Sequence, residues 1–477
     1  MLLLDRRDVR CLGRAQHLLS NFPVDRLFGS FERQYDAYHS LVATFSAAEH
    51  ERMVVSNAER IYGIQGEVMH TRRVHAAIAA AAMLVVSLSV AVPHQPGPSE
   101  KPWTQAWYLP PYPPTAALAC DDVRFFARQT VRQVVRLQVG GDRLRVRLTN
   151  ELGLSPVEIG SVHIALSSPN AVTEAETDHI VTFGGHQDAV IPVGKALVSD
   201  PVDMTVSAFA DVGISVYYPE RLSPAGHLLQ VHLSAKGDHG ADAIWNGGSI
   251  ARAPVLVSGV DVQGSQPHHV VVAFGDSITE GAGATPGTNM DWPEQLARRM
   301  DASGGPDKGW VVINSGISGN RLLHEGAGPS AIDRFDRDAL NLSGVSAVII
   351  MEGINDIGWA FDPDGDTGPL SVADITGAYK QLIARAHARG LKVFGGTIAP
   401  YEDAKYYHPE GEAVRQAVND WIRTGGAFDG VIDFEKAVRD PRHPTRYLGA
   451  KQAGDNLHPN DAGYRAMAEA VDLGLFQ

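Results

Sequence analysis

Apolar and polar positions alternate with a period of two through much of residues 102–266, as in Leu144-Arg145-Val146-Arg147-Leu148. That period belongs to strands with one face buried. Val134–Val139, Val162–Leu166, Ile214–Tyr218 and Leu228–Leu233 continue the series, and Gly140-Gly141-Asp142 reads as a hairpin turn. Regularly spaced short strands without helical stretches predict a β-sandwich or jelly-roll-like domain. From residue 267 the pattern changes. Val270–Phe274 is a continuous apolar run, and similar runs recur at Val311–Ile313, Ala347–Met351, Val393–Phe394 and Val431–Ile432. Such runs fit strands buried on both faces of a parallel sheet. Between them Ile375, Tyr379, Leu382, Ile383 and Ala386 trace one helical face, with Ser371 and Asp374 in front as a capping box. Strands alternating with helices predict an α/β fold over residues 267–477.

The first hundred residues follow neither pattern. Ala76–Val90 is an apolar run about 15 residues long, short of the roughly 20 a membrane-spanning helix needs. Arg72 and Arg73 precede it and Ser89-Val90-Ala91 ends it, the layout of a secretory signal peptide over residues 69–91 that begins at Met69. Residues 92–101 are Pro-rich and polar and read as a linker. Residues 1–68 read as an upstream extension from a start site placed too early. Its stretch from Phe45 to Gly63 resembles the last helix of metal-dependent amidohydrolases, but 68 residues fall well short of the about 250 such a barrel takes. The expected location is secreted or periplasmic.

Composition narrows the classes further. Lys plus Arg number 41 against 55 Asp plus Glu, a net charge of −14 that argues against nucleic-acid binding. Two cysteines, Cys11 and Cys120, exclude a disulfide framework or a Cys-rich metal site. No histidine spacing suggests a metal, and no cofactor is implied. Trp103, Trp107, Tyr108 and Tyr112 cluster where the β-rich stretch begins, and packing at the end of the sandwich is the favoured reading over stacking on sugar rings.

In a parallel α/β sheet, ligands bind at the carboxyl ends of the strands. The first apolar run leads into Gly275-Asp276-Ser277-Ile278-Thr279-Glu280-Gly281, which presents a serine on a tight strand-to-helix turn. The second leads into Asn314-Ser315-Gly316-Ile317-Ser318-Gly319-Asn320, the third into Glu352-Gly353-Ile354-Asn355-Asp356, and Asp455-Asn456-Leu457-His458-Pro459 stands near the C-terminus. Residues 270–477 resemble the SGNH, or GDSL-type, hydrolases, whose four blocks supply Ser, Gly, Asn and His in that order, here Ser277, Gly319, Asn355 and His458. The segments Asn320–His324 and Arg334–Asp338, with the β-rich stretch in front, resemble the XynE-like subfamily of esterases associated with xylan breakdown. The resemblance implies a three-layer, flavodoxin-like α/β/α sandwich. It also implies an oxyanion hole built from the N–H groups of Ser277 and Gly319 and the side-chain amide of Asn355.

Acyl transfer assigns the remaining roles. Ser277 needs a base, which His458 supplies, and a group that orients the imidazole, which suits Asp455 three residues upstream. Gly316 is the alternative to Gly319, with turn geometry as its other role. Asp276 and Asp356 read as structural carboxylates. Asn320, Arg321 and Trp359 are candidate substrate contacts, Trp359 equally a core residue. The expected activity is a secreted serine esterase that removes short acyl groups, acetyl above all, from plant cell-wall polysaccharide. An O-acyltransferase and a catalytically inactive carbohydrate-binding protein are the alternatives. The expected partner is an acylated carbohydrate or a small ester, with neither nucleic acid nor a membrane span.

Overall fold

The computed structural model describes residues 101–113, 122–123, 125–264, 268–303, 309–362, 365 and 367–477. The expected extension, the signal peptide, nearly all of the linker and both cysteines lie outside the described residues. Those described belong to one compact unit, Ser99–Gln477.

The period-two stretch forms strands as expected. They are β1 (Trp103–Tyr108), β2 (Gln129–Arg136), β3 (Gly141–Asn150), β4 (Val157–Ile159), β5 (Ser161–Leu166), β6 (His179–Val181) and β7 (Ala189–Ile191). After these come β8 (Lys195–Val198), β9 (Val202–Val206), β10 (Asp211–Tyr218), β11 (His227–Lys236), β12 (Ser249–Val255) and β13 (Val257–Gln263). One antiparallel sheet runs β1-β13-β3, with β8 and β9 sharing the outer edge of β3. The other runs β12-β11-β2-β10-β5-β6, and β4 pairs with β7. Leu144, Val146 and Leu148 of the first sheet and Val212, Ile214 and Val216 of the second belong to one buried cluster. The charged residues between Leu144 and Leu148 stay at the surface side, which is why the alternation was visible.

The parallel sheet has the order β15-β14-β16-β17-β18, from β14 (His269–Gly275), β15 (Trp310–Gly316), β16 (Val345–Met351), β17 (Lys392–Gly396) and β18 (Gly430–Ile432). The strands β14 to β17 divide their side chains between two cores. Val270, Val272 and Phe274 face one cluster, and Val271 and Ala273 face another. In chain order the helices are α1 (Ser277–Glu280), α2 (Trp292–Ala302), α3 (Ala331–Phe335), α4 (Ile354–Phe361), α5 (Val372–His387), α6 (Pro409–Thr424), α7 (Phe434–Val438) and α8 (Asp461–Ala470). Apolar residues of α4, α5 and α6 complete the first core, and those of α2, α7 and α8 the second. A sheet buried on both faces by helices is the three-layer α/β/α sandwich expected. The capping box of α5 forms as read, with Asp374 N donating to Ser371 Oγ and Ser371 N donating back to Asp374.

The aromatic cluster packs inward. Tyr108 and Tyr112 are buried, Tyr108 Oη donates to Asp338 Oδ1 at 2.7 Å, and the Arg145 guanidinium lies 4.5 Å from the Trp103 ring centre. Arg337 Nη2 donates to Pro111 O at 3.0 Å, and Gln105 N to Ser343 O at 2.9 Å. The β-rich region is thereby fastened to the α/β region along the segment that leads out of β1.

Candidate active site

Three loops at the carboxyl ends of β14, β15 and β16 converge with a fourth ahead of α8. Ser277 is the first residue of α1. Asp276 caps that helix, accepting Ile278 N at 2.9 Å, so the serine amide sits in the first turn where no helical carbonyl can take it. Ser277 Oγ lies 2.8 Å from His458 Nε2, and His458 Nδ1 lies 2.6 Å from Asp455 Oδ2. A carboxylate only accepts, so Nδ1 carries the proton and Nε2 turns its lone pair to the serine hydroxyl. Asp455 Oδ1 also accepts the backbone amides of Leu457 and His458, at 3.0 and 2.9 Å. Burial alone would push the Asp455 carboxyl up, but these amides and the ring outweigh it and hold it below the usual carboxylate range.

The loop after β15 distinguishes its two glycines. Gly316 N donates to Asn314 Oδ1 at 2.9 Å, and a Cβ on Gly316 would come within 2.2 Å of Glu280 N. Gly316 therefore lets α1 approach the strand, and its amide is already used. Ile317 N donates to Gly275 O, Ser318 N to Glu280 Oε2 and Asn320 N to Ile317 O. Of the amides from 316 to 320, Gly319 N is the one for which the described residues supply no acceptor. Gly319 has φ +76°, the left-handed region where glycine carries no steric cost.

Asn355, on the first turn of α4, is buried. Its Nδ2 donates to Asn320 O at 2.9 Å, and its Oδ1 accepts Tyr406 Oη at 3.1 Å. A carbonyl can only accept, so the amide orientation is fixed and one N–H remains uncommitted. Among the described residues, Ser277 N, Gly319 N and the second N–H of Asn355 Nδ2 have no acceptor.

Asn320 is a correction to the expected substrate contact. It is 1% exposed, its Oδ1 accepts Arg334 Nε at 2.7 Å, and its Nδ2 donates to Pro329 O at 2.8 Å, so the side chain holds the loop from within. Arg321 is also buried, with its guanidinium on the Glu325 carbonyl. Trp359 packs partly buried against the core, its ring 5.6 Å from that of Tyr406. Asp356 accepts the amides of Leu322 and Leu323 at 2.6 and 2.9 Å, the structural role expected of it.

Sequence reading passed over Arg334 as an individual residue. Its fully buried guanidinium reaches all three strand-end loops, donating to Gly275 O at 2.8 Å, Ser315 O at 3.0 Å and Asn320 Oδ1, with Glu352 and Asp338 each at 3.4 Å. Two carboxyls near it, Glu352 and Asp276, are protonated more readily than usual. Burial, then the neighbouring acids, raises Glu352 well above the carboxylate range, and burial above all raises Asp276 to about 7. Where protonated, these acids set no negative field beneath the serine loop. Among the described residues no group of three or more His, Cys, Asp or Glu side chains is arranged to hold a metal ion, and no helix is long and apolar enough to cross a membrane.

Residues 273–466 match the GDSL-like Lipase/Acylhydrolase family. No curated protein gives a match. Among solved structures, the chain is similar to a lipolytic protein of the G-D-S-L family from Desulfitobacterium hafniense DCB-2 (20% identity, 42% of this chain and 96% of that one, TM-score 0.32). It is also similar to LAE5, an alpha/beta hydrolase from the metagenome of Lake Arreo, Spain (23% identity, 44% and 94%, TM-score 0.34). An acetyl xylan esterase from Geobacillus stearothermophilus gives 21% identity over 44% of this chain and 94% of that one, with TM-score 0.34.

Proposed function

We propose that this chain, a GDSL/SGNH-type carboxylic ester hydrolase by virtue of its acylhydrolase domain, removes short acyl groups, acetyl above all, from plant cell-wall polysaccharide with Ser277 as nucleophile. The observation that carries the reading is the unbroken line of contacts from Asp455 through His458 to Ser277 Oγ.

In this mechanism His458 Nε2 takes the Ser277 proton as Oγ attacks the acyl carbon. The carbonyl oxygen gains the negative charge and receives the N–H groups of Ser277, Gly319 and Asn355. As the intermediate collapses, the C–O bond to the sugar breaks and His458 returns the proton to the leaving alkoxide. A water molecule, deprotonated by the same imidazole, then attacks the acyl-serine; as the acyl–Oγ bond breaks, His458 returns that proton to Ser277 Oγ and the acid is released. Asp455 stays ionised and supports the imidazolium in both halves.

The polysaccharide assignment rests on the resemblance of residues 320–324 and 334–338 to XynE-like esterases. It agrees with a base and orienting acid that reach the surface, since the Asp455 side chain is 51% exposed and that of His458 18%. An ester on a bulky polymer can approach such a site, and water has equal access, which favours hydrolysis over transfer to a second sugar. Export through a signal peptide starting at Met69 belongs to the same proposal.

The test is a substrate panel of p-nitrophenyl esters of increasing chain length together with acetylated xylan, run on wild type and Ser277→Ala. The expected result is release of acetate from xylan, falling activity with chain length, and no turnover by the variant. A fluorophosphonate should label Ser277. Wild-type rates in the Ser277→Ala protein, or an adduct on another residue, overturn the nucleophile. Acyl groups delivered to an added sugar in preference to water make the protein a transferase.

A further inference from the structure

Among the described residues of the β-rich region, His227 reaches a carboxylate next to the catalytic loops. His227 begins β11 and is 2% exposed. Its Nδ1 lies 3.0 Å from Pro110 O, the Tyr112 ring stands at 77° to it with ring centres 4.8 Å apart, and its Nε2 lies 3.5 Å from Glu280 Oε1. The Pro110 carbonyl can only accept, so Nδ1 carries a proton. Nε2 then faces the Glu280 carboxylate, so the ring joins the β-rich stretch to the last residue of α1.

Glu280 closes α1, the helix that begins with Ser277, and its Oε2 accepts the amide of Ser318. Burial would raise the Glu280 carboxyl, but His227 and the Ser318 contacts outweigh it and keep it ionised. Ser318 immediately precedes Gly319, so fixing the Ser318 amide restricts the peptide unit that carries the Gly319 N–H. Below the same loop Ile317 packs with Tyr112 and Leu228 in a small buried cluster.

We propose that His227 is a positioning residue: through Glu280 and Ser318 it aims the Gly319 amide at the developing oxyanion, which makes the β-rich region part of the catalytic machinery. This rests on the serine esterase reading above.

The experiment compares His227→Gln, Glu280→Gln and the double variant with wild type on p-nitrophenyl acetate, counting active sites with a fluorophosphonate. Each single variant is expected to lose on the order of tenfold or more in kcat per titrated site, with KM within about twofold. The double variant is expected to lose no more than the weaker single one, because both changes break one connection. The preference for an ester over its thionoester should also shrink, since sulfur makes poor use of oxyanion donors. That ratio is insensitive to a loss of folded protein. Wild-type kcat in either single variant, losses that multiply in the double, or an unchanged thionoester ratio overturns the inference. If His227→Gln does not fold, Glu280→Gln, which leaves the β-rich region intact, decides by the same readouts. Failure of the phosphonate to label Ser277 in wild type would instead overturn the esterase reading itself.

Discussion

In the proposed mechanism Asn355 and Asp455 act through contacts whose loss has a distinct kinetic form. Replacing Asn355 by Ala removes one oxyanion donor and also leaves Tyr406 Oη and Asn320 O without their partner. A cost in kcat on the order of 100- to 1000-fold is expected, with KM little changed, because the oxyanion exists only in the transition state. Steady-state kinetics check it, and a change confined to KM would assign Asn355 to substrate binding instead. Asp455→Asn keeps the shape but removes the charge opposite the imidazolium, and a loss in kcat on the order of 10²–10⁴-fold is expected. Near-full activity would reduce the triad to a Ser–His dyad. Single-turnover acylation rates are the measurement, since acylation is where His458 first becomes charged.

Residues whose roles come from their own loop were legible. Ser277, Gly319 and Asn355 each follow an apolar run, and a parallel sheet delivers the ends of such runs to one edge. Tyr406 and Arg334 were not, because their meaning lies in partners 51 and 59 positions away. Asn320 was misdirected for the same reason. A polar residue beside an oxyanion glycine suggests a ligand contact until the buried Arg334 that consumes it is seen.

At the scale of the element, α1 is a four-residue helix that begins with the proposed nucleophile. It is too short to be stable alone and is held by its cap, by Gly316 against its backbone and by the Glu280–Ser318 contact. The cap couples the helix to pH. Burial raises the Asp276 carboxyl to about 7, above its value in the unfolded chain. A raised carboxyl contributes stability that is fully present below the unfolded value, near 4, and is lost as pH climbs through about 7. Thermal stability of the wild type should therefore fall between roughly pH 4 and 7. Asp276→Asn keeps an oxygen for the Ile278 amide but cannot ionise, so its melting temperature should be flatter over that range. Melting curves at several pH values decide it, and parallel slopes for the two proteins would show that another group is responsible. The long helix α5 was readable from periodicity and capping box alike, whereas α1 left only a Gly-Asp-Ser turn in the sequence. Periodicity needs several turns to register; a cap needs one.

The change of period near residue 267 marks where the β-rich stretch ends, and two autonomous domains are the simplest expectation from it. The packing joins them. One buried cluster contains Val146 and Val216 of the antiparallel sheets together with Phe274, Leu322 and Ile354 of the α/β region. Polar contacts run alongside it: Tyr108 to Asp338, which in turn faces Arg334, and His227 to Glu280. Separating the regions would expose that apolar surface and strand Asp338 without one of its donors. Burying apolar area is worth roughly 25 cal/mol per Å², so a shared core of this kind couples the two unfolding equilibria. The full chain is expected to unfold in one calorimetric transition over the described residues, its van't Hoff and calorimetric enthalpies agreeing. A chain of residues 268–477 alone should be poorly soluble and lack esterase activity, because the loop from 316 to 320 loses the Tyr112–Leu228 support and the His227–Glu280 contact. Two resolved transitions, together with an active 268–477 fragment, would show that the β-rich region is a detachable module and that the catalytic loops hold their geometry without it.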